Sequence, residues 1–264
     1  MGRLLIVSRV ERLAEHLELA EKYNVGFEIN DFFDPQLLDD EKRQQVVIDR
    51  YLKSGLPEGS TMHGAFFDVT VFSNDTKIRE ISNLRMHQSM EIARKLHVKG
   101  VVFHTNWNPM VCGEIYENQI VERTVSYMKA LLEQYPEIEI YLENMFDSDP
   151  RILTRISKEL KVYKNYGVCL DYAHATIYGS DIAHWIEELT PYIKHLHIND
   201  NDLKQDQHLA LGEGQIDWHR FMEYYRTRFA DCSVLIETTQ PENQAKSLQY
   251  LEAFGKGEIQ KKIP

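Results

Sequence analysis

Residues 193–218 read IKHLHINDNDLKQDQHLALGEGQIDW. The stretch opens on Ile193, Leu196 and Ile198 in the apolar alternation of a strand, then turns into His197, Asn199, Asp200, Asn201, Asp202, Asp206 and His208. Imidazoles and carboxylates at a strand end can serve as general acids, general bases or metal ligands, held rigidly in one small volume. Taken alone, the window reads equally well as a polar loop after a strand. What decides is whether other strands end the same way.

Apolar strand-like runs recur at residues 4–8, 25–30, 61–67, 101–105, 138–145, 168–172, 193–200 and 234–238. Helical periodicity separates them at 9–22, 40–53, 77–96, 115–134, 149–164, 181–189 and 218–229, with a last helix around 242–254. Eight alternations of strand and helix predict an α/β protein, a single-domain (β/α)8 TIM barrel over residues 1–264; a doubly wound open sheet is the competing topology. Barrel chemistry sits at the C-terminal strand ends. Those ends carry Glu28 and Asn30, His63, His104, Glu143 and Asn144, Asp171 and His174, His197 and Asp200, and Glu237. One such histidine is more often a satisfied or surface residue than a ligand. Repetition on strand after strand is what argues for a site, and the opposite ends, at Gly26, Gly100 and Gly167, show no similar concentration.

The composition narrows the class. With 41 acidic against 30 basic residues the formal charge is −11, the opposite of a surface that releases counterions from a phosphate backbone. No apolar run approaches the roughly 18 residues of a membrane span, and MGRLLIVSRVERLAEHL lacks the apolar core of a signal peptide, so a cytoplasmic location is expected. Cys112, Cys169 and Cys232 form no CxxC and predict no disulfide framework. Histidine with carboxylate and no thiolate suits Zn, Mn, Fe or Co. No serine or cysteine stands in a GxSxG-like elbow, and Gly212–Glu213–Gly214 is too short for a dinucleotide fingerprint. That loop reads as a tight turn into a helix capped by Asp217, and the Lys-rich tail at 255–264 as a solvated end.

LEN at 142–144, CLDYAH at 169–174, HIND at 197–200, DQH at 206–208, LGEGQIDW at 211–218 and IE at 236–237 resemble the xylose-isomerase-like TIM barrels, as do MHGAFFD at 62–68 and VFHT at 102–105. That superfamily holds sugar isomerases and epimerases together with the endonuclease IV group (AP endonuclease family 2). The resemblance implies two nested sites and one to three metal ions per chain. As in the sugar epimerases, one divalent metal would sit on Glu143, Asp171, His197 and Glu237. As in the endonuclease IV branch, a trinuclear zinc site would add His63, His104, His174, Asp206 and His208. His195 is read as a neighbour that packs or hydrogen-bonds. After His63, this chain has Gly64, Ala65 and Phe66 where the endonuclease pattern continues Ala-Pro-Tyr, and its loops lack basic inserts that would grip a duplex.

The resemblance therefore implies, first, a divalent-metal-dependent sugar or sugar-phosphate isomerase or epimerase, with Glu143 and Glu237 trading a proton beside a metal-polarised carbonyl. The alternative is a di- or tri-zinc phosphoesterase of the endonuclease IV type, and a third reading is a metal-bound barrel without catalysis. Trp107, Asn144 and Asp200 are the expected substrate contacts, with Trp107, and less so Trp218, stacking on a sugar ring. The expected partner is a small sugar or sugar phosphate rather than nucleic acid or membrane, and assembly into a homo-oligomer is compatible with the fold.

Overall fold

The computed structural model describes residues 2–66, 68–111, 113–179 and 181–259. Strands β1 (Leu4–Ser8), β2 (Gly26–Ile29), β3 (Thr61–His63), β4 (Gly100–His104), β5 (Glu139–Glu143), β6 (Tyr166–Asp171), β7 (Ile193–Ile198) and β8 (Ser233–Ile236) stand in sequence order around a closed barrel. Every pairing is parallel, and β1 closes onto β8 with Leu4 opposite Val234 and Ile6 opposite Ile236. That closing ladder excludes the open sheet and confirms the (β/α)8 reading.

Alternation along the strands sorts the side chains into two layers. Ile6, Phe27, Val101, Ile140, Leu170 and Ile198 belong to the large apolar core between strands and helices. Their neighbours face the barrel axis, where Leu5, Val7 and Leu235 form one small cluster and Val102, Tyr141 and Cys169 another. At the same level Glu28, Thr61, His195 and Ser233 make the interior polar, all of them buried.

The helices are α1 (Leu13–Tyr23), α2 (Pro35–Leu38), α3 (Glu41–Ser54), α4 (Thr76–Leu96), α5 (Glu114–Gln134), α6 (Arg151–Leu160), α7 (Tyr172–Ile177), α8 (Ile182–Leu189), α9 (Trp218–Arg228) and α10 (Pro241–Gly255). Asp34, Asp40, Asp75, Asp171, Asp181 and Asp217 are N-caps whose carboxylates accept backbone N–H groups of the first turn. Such a cap is worth about 1 kcal/mol. A share of the acidic excess is thereby spent on starting helices.

Three departures from the sequence reading have local causes. The first helical stretch splits into a 3-10 turn at Val10–Arg12 followed by α1. β3 ends at His63 rather than at residue 67: a Cβ on Gly64 would lie 2.3 Å from the Phe103 ring, so the chain leaves the sheet pressed against β4. Phe67 lies outside the described residues, as do Cys112 and the tail from 260 to 264. The short helices α2 and α7 were not expected; α7 starts directly at the end of β6 because the Asp171 carboxylate accepts His174 N–H at 2.7 Å. No helix of the described residues is long and apolar enough to cross a membrane.

Candidate metal centre

Strand register assembles the site. The ladders set His104 opposite Glu143 and Asp171 opposite His197, so side chains far apart in sequence leave neighbouring strands at the same height. Nine residues then fall into three donor groups, within each of which the ligating atoms lie within 4.8 Å of one another. In the first, His63 Nε2 is 3.2 Å from His104 Nε2, and the two stand 3.6 and 3.4 Å from Glu143 Oε2. In the second, His197 Nδ1 is 3.2 Å from Glu143 Oε1 and 3.5 Å from Glu237 Oε1, with Asp171 completing the set. In the third, Asp206 Oδ2 lies 3.2 Å from His174 Nε2 and 2.9 Å from His208 Nε2. Glu143 is common to the first two, and Asp171 Oδ2, 3.2 Å from His174 Nδ1, links the second to the third. The structure thus brings together every residue the sequence marked as a ligand.

The hydrogen bonds say what these groups face. His63 Nδ1 lies 3.0 Å from Gly64 O, His174 Nδ1 3.1 Å from Asn144 O, and His208 Nδ1 2.7 Å from Glu237 O. A carbonyl oxygen only accepts, so each Nδ1 carries the proton and a neutral ring keeps its lone pair on Nε2. Those lone pairs point at His104 Nε2 or at the Asp206 carboxylate. At Asp206 acceptor then faces acceptor, which is repulsive unless a cation or an extra proton stands between, whereas His104 in its Nε2–H tautomer can donate to His63.

Without a metal, protons fill that role. Burial alone would lower the His208 pKa, yet Glu237 and Asp206 push it up to about 10. Against the same burial, His174 is raised well above the usual imidazole range, chiefly by Asp171 and Asp206. Burial would raise Asp206, but hydrogen bonds with His174 and His208 bring it below its usual value. Asp171 is driven well above the carboxylate range by burial, with Glu237 and Glu143 adding to it against His174.

A metal suits the geometry. Tetrahedral ligands about 2.0–2.1 Å from zinc stand about 3.3–3.4 Å apart; the pairs given above stand 2.9 to 3.6 Å apart, and all donors of a group lie within 4.8 Å. Both Glu143 oxygens, Asp171 Oδ2, His197 Nδ1 and Asp206 Oδ1 are buried without a hydrogen-bond partner. Buried polar atoms are otherwise satisfied as a rule.

One residue escaped the sequence-based set. Glu28 on β2 is buried with Oε1 3.1 Å from His197 Nε2, while Oε2 accepts from Thr61 Oγ1 at 2.8 Å and pairs with His195 Nε2 at 3.1 Å. His195 in turn meets Ser233 Oγ through Nδ1 at 2.7 Å, the neighbour role expected of it. Burial would raise the Glu28 pKa, but His197 and His195 hold it well below the carboxylate range. Glu28 is therefore a carboxylate behind a candidate ligand histidine, the kind of partner that fixes ring orientation. Its place at a strand end was visible; its partners, 167 residues away for His195, were not. Cys169 also lies beside His195 and His197, but burial keeps its thiol pKa well above the usual value.

The three expected substrate contacts have other work. Asp200 is fully buried: Oδ1 accepts Asn201 N–H and Ile216 N–H, and Oδ2 accepts Gly212 N–H and Trp218 Nε1–H. It organises the loop carrying Asp206 and His208 and has no oxygen left for substrate. Asn144 clasps the Asp171 backbone, donating through Nδ2 to Asp171 O and accepting Asp171 N–H, both at 2.9 Å. Trp107 packs in the core with no exposed surface, the Arg151 guanidinium 5.4 Å from its ring, so it offers no face for stacking.

Among the described residues, the loops leading from strands into helices bring Arg9, Arg12 and Lys204 as their cations. Arg12 is occupied by Glu15, Gln240 and Glu242. The rim instead exposes Met110, Val111, Phe146 and Leu203. The described residues of those loops form no basic stripe of the kind that grips a nucleic-acid backbone.

Comparison with known proteins places the fold. The family described as xylose isomerase-like TIM barrel matches residues 17–254. The uncharacterised protein MJ1311 of Methanocaldococcus jannaschii is 25% identical over 260 residues, covering 94% of this chain and 84% of that protein. Among solved structures, the TTHB071 protein from Thermus thermophilus, soaked with zinc chloride, superposes with a TM-score of 0.78 at 21% identity, covering 97% of this chain and 99% of that one. A D-tagatose 3-epimerase-like protein gives 0.78 at 23% identity, covering 97% and 98%.

Proposed function

The chain belongs to the xylose isomerase-like TIM barrel family, and from that premise we propose that it is a multinuclear, divalent-metal-dependent hydrolase of a small-molecule phosphoester. The observation that carries the reading is the set of three donor groups fused through Glu143 and Asp171. A mononuclear epimerase needs only the second group. It makes no use of the first and third, in each of which two histidines and a carboxylate converge.

When bound, divalent metals would polarise a phosphoryl oxygen and activate a water as the nucleophile. Glu143, with Oε1 in the second group and Oε2 in the first, would bridge two of them. His63 and His104 would help hold one metal, Asp171, His197 and Glu237 the next, and His174, Asp206 and His208 the third. Asn144 and Glu28 hold Asp171 and His197 in place from behind. A rim with apolar side chains and few loop cations favours a compact substrate over a duplex.

A second reading keeps the sequence-based order of preference. Glu143 and Glu237 both approach His197 Nδ1 with an oxygen, at 3.2 and 3.5 Å, a pair that could exchange a proton across a sugar in a one-metal isomerase or epimerase. The two are separated by loading the protein with zinc or manganese and assaying small phosphomonoesters and phosphodiesters beside a panel of ketoses and aldoses. Hydrolysis that is lost in both His63→Ala and His174→Ala supports the first. Sugar interconversion that survives both substitutions overturns it.

A further inference from the structure

Beside the metal centre lies a cavity of about 330 Å³ bounded by Phe33, Pro35 and Leu38 from α2 and its approach, Phe66 and Val69 from the β3–α4 loop, and Ile81 from α4. That volume is at the lower end of small-molecule sites, which run from roughly 300 to 1,000 Å³ and are mostly apolar with few polar groups. Its polar edge is Arg85 and Asp68. Arg85 is spoken for, its guanidinium paired with Asp39 at 2.6 and 2.9 Å. Apart from the exposed Asp68 carboxylate at its edge, the cavity therefore offers carbon surface.

Phe66 joins this cavity to the chemistry. Its ring forms part of the cavity wall and stands 5.1 Å from the His63 ring and 4.5 Å from the His104 ring, centroid to centroid. Phe33 packs against it at 5.4 Å. The wall is also fixed in advance. Asn106 Nδ2 donates to Phe66 O and Val69 O, Ser89 Oγ accepts Ala65 N–H, and Ser82 Oγ accepts Thr70 N–H. A group seated here would lie one aromatic ring away from the first donor group.

We propose that this cavity is the specificity pocket of the enzyme and takes an apolar, ring-sized part of the substrate, so that the phosphoester cleaved next to His63 and His104 carries an aryl or similarly apolar group. The proposal rests on the phosphoester reading for the reaction and on the cavity alone for the apolar preference. Ile81, 52% exposed on α4, and the half-buried Phe33 can be changed without touching any donor residue.

The test uses the full chain and has two arms. In the first, benzyl alcohol is offered to metal-free protein and binding is read by saturation-transfer NMR in wild type, Ile81→Asp and Phe33→Ala, with folding checked by circular dichroism. Binding in wild type that is lost in both variants is the expected result. No binding in wild type, or undiminished binding in both folded variants, overturns the pocket. In the second, zinc-loaded protein is titrated calorimetrically with phenylphosphonate and methylphosphonate. The phenyl compound should bind roughly tenfold tighter or more, as burial of one ring implies, and the advantage should vanish in Ile81→Asp while methylphosphonate affinity holds. Equal affinities in wild type overturn the proposal. If benzyl alcohol binds and neither phosphonate does, the phosphoester reading has failed, and with it this pocket's assignment to that reaction.

Discussion

Asp200→Asn removes one charge and changes no heavy-atom count, yet the structure predicts a large effect. Each Asp200 oxygen accepts two N–H groups, from Asn201 and Ile216 on one side and from Gly212 and Trp218 on the other. Asparagine must place its NH2 on one side, where two bonds are lost and donor meets donor. Hydrogen bonds to a charged acceptor are worth about 1.5–3 kcal/mol each, so the loss of two is about 3–6 kcal/mol, or roughly 5–15 °C in Tm for a chain of this size. The surroundings cannot yield, because a Cβ on Gly214 would stand 2.3 Å from Asp200 Oδ1 and Gly212 holds a φ of +88° that favours glycine. The consequence reaches the site, since the same loop carries Asp206 and His208. Differential scanning calorimetry and zinc content, measured together, give the assay. A variant that melts within about 2 °C of wild type with undiminished zinc would refute the reasoning that Asp200 organises this loop.

Other outcomes follow from the same geometry. Glu143→Gln should lower kcat/KM by about 10³-fold or more and reduce metal stoichiometry by more than one ion, with circular dichroism unchanged; one ion lost or none would mean Glu143 does not bridge. Chelation should lower Tm by about 5–10 °C, because ligands that bind only the folded chain add about 2.7 kcal/mol at a hundredfold excess over Kd, and re-addition of zinc should restore it; a Tm that ignores chelator contradicts a structural dependence on metal. Asp147 is buried, and burial pushes its carboxyl up to about 6 despite the Thr105 hydroxyl at 2.6 Å and Met145 N–H. A folded pKa above the unfolded value means protonation favours the fold, so this group costs stability as pH rises from about 4 to 6. Asp147→Asn should then be more stable than wild type at pH 8, by about 3 kcal/mol at most, with the gain gone below pH 4; an equal gain at both pH values in urea titrations would refute the titration account.

How much was readable before folding can be argued residue by residue. Strand alternation is a local signal, and it announced the barrel because Ile6, Phe27 and Val101 face the helices while their neighbours face inward. The candidate ligands were legible because strand ends in this fold converge at one mouth and because motifs such as CLDYAH, HIND and DQH resemble those of the family. What stayed hidden were long-range partners: nothing near Glu28 in sequence reveals His195, and nothing near Asp200 reveals the four N–H groups that claim it. A carboxylate in a ligand-rich run looks like substrate chemistry until its acceptors are seen to be taken. Trp107 misled in the same way, since a loop position suggested exposure and the core claimed the ring. The acidic excess divides between donor groups and helix caps, and charge alone could not apportion it.

The central claim is that three donor groups hold three metals. Zinc equivalents per chain, combined with anomalous-difference maps at the zinc edge from crystals grown with zinc, test it directly. The account predicts three peaks, one at His63, His104 and Glu143, one at Glu143, Asp171, His197 and Glu237, and one at His174, Asp206 and His208. A single peak on Glu143, Asp171, His197 and Glu237 at saturating zinc would contradict it and return the protein to the one-metal isomerase or epimerase reading.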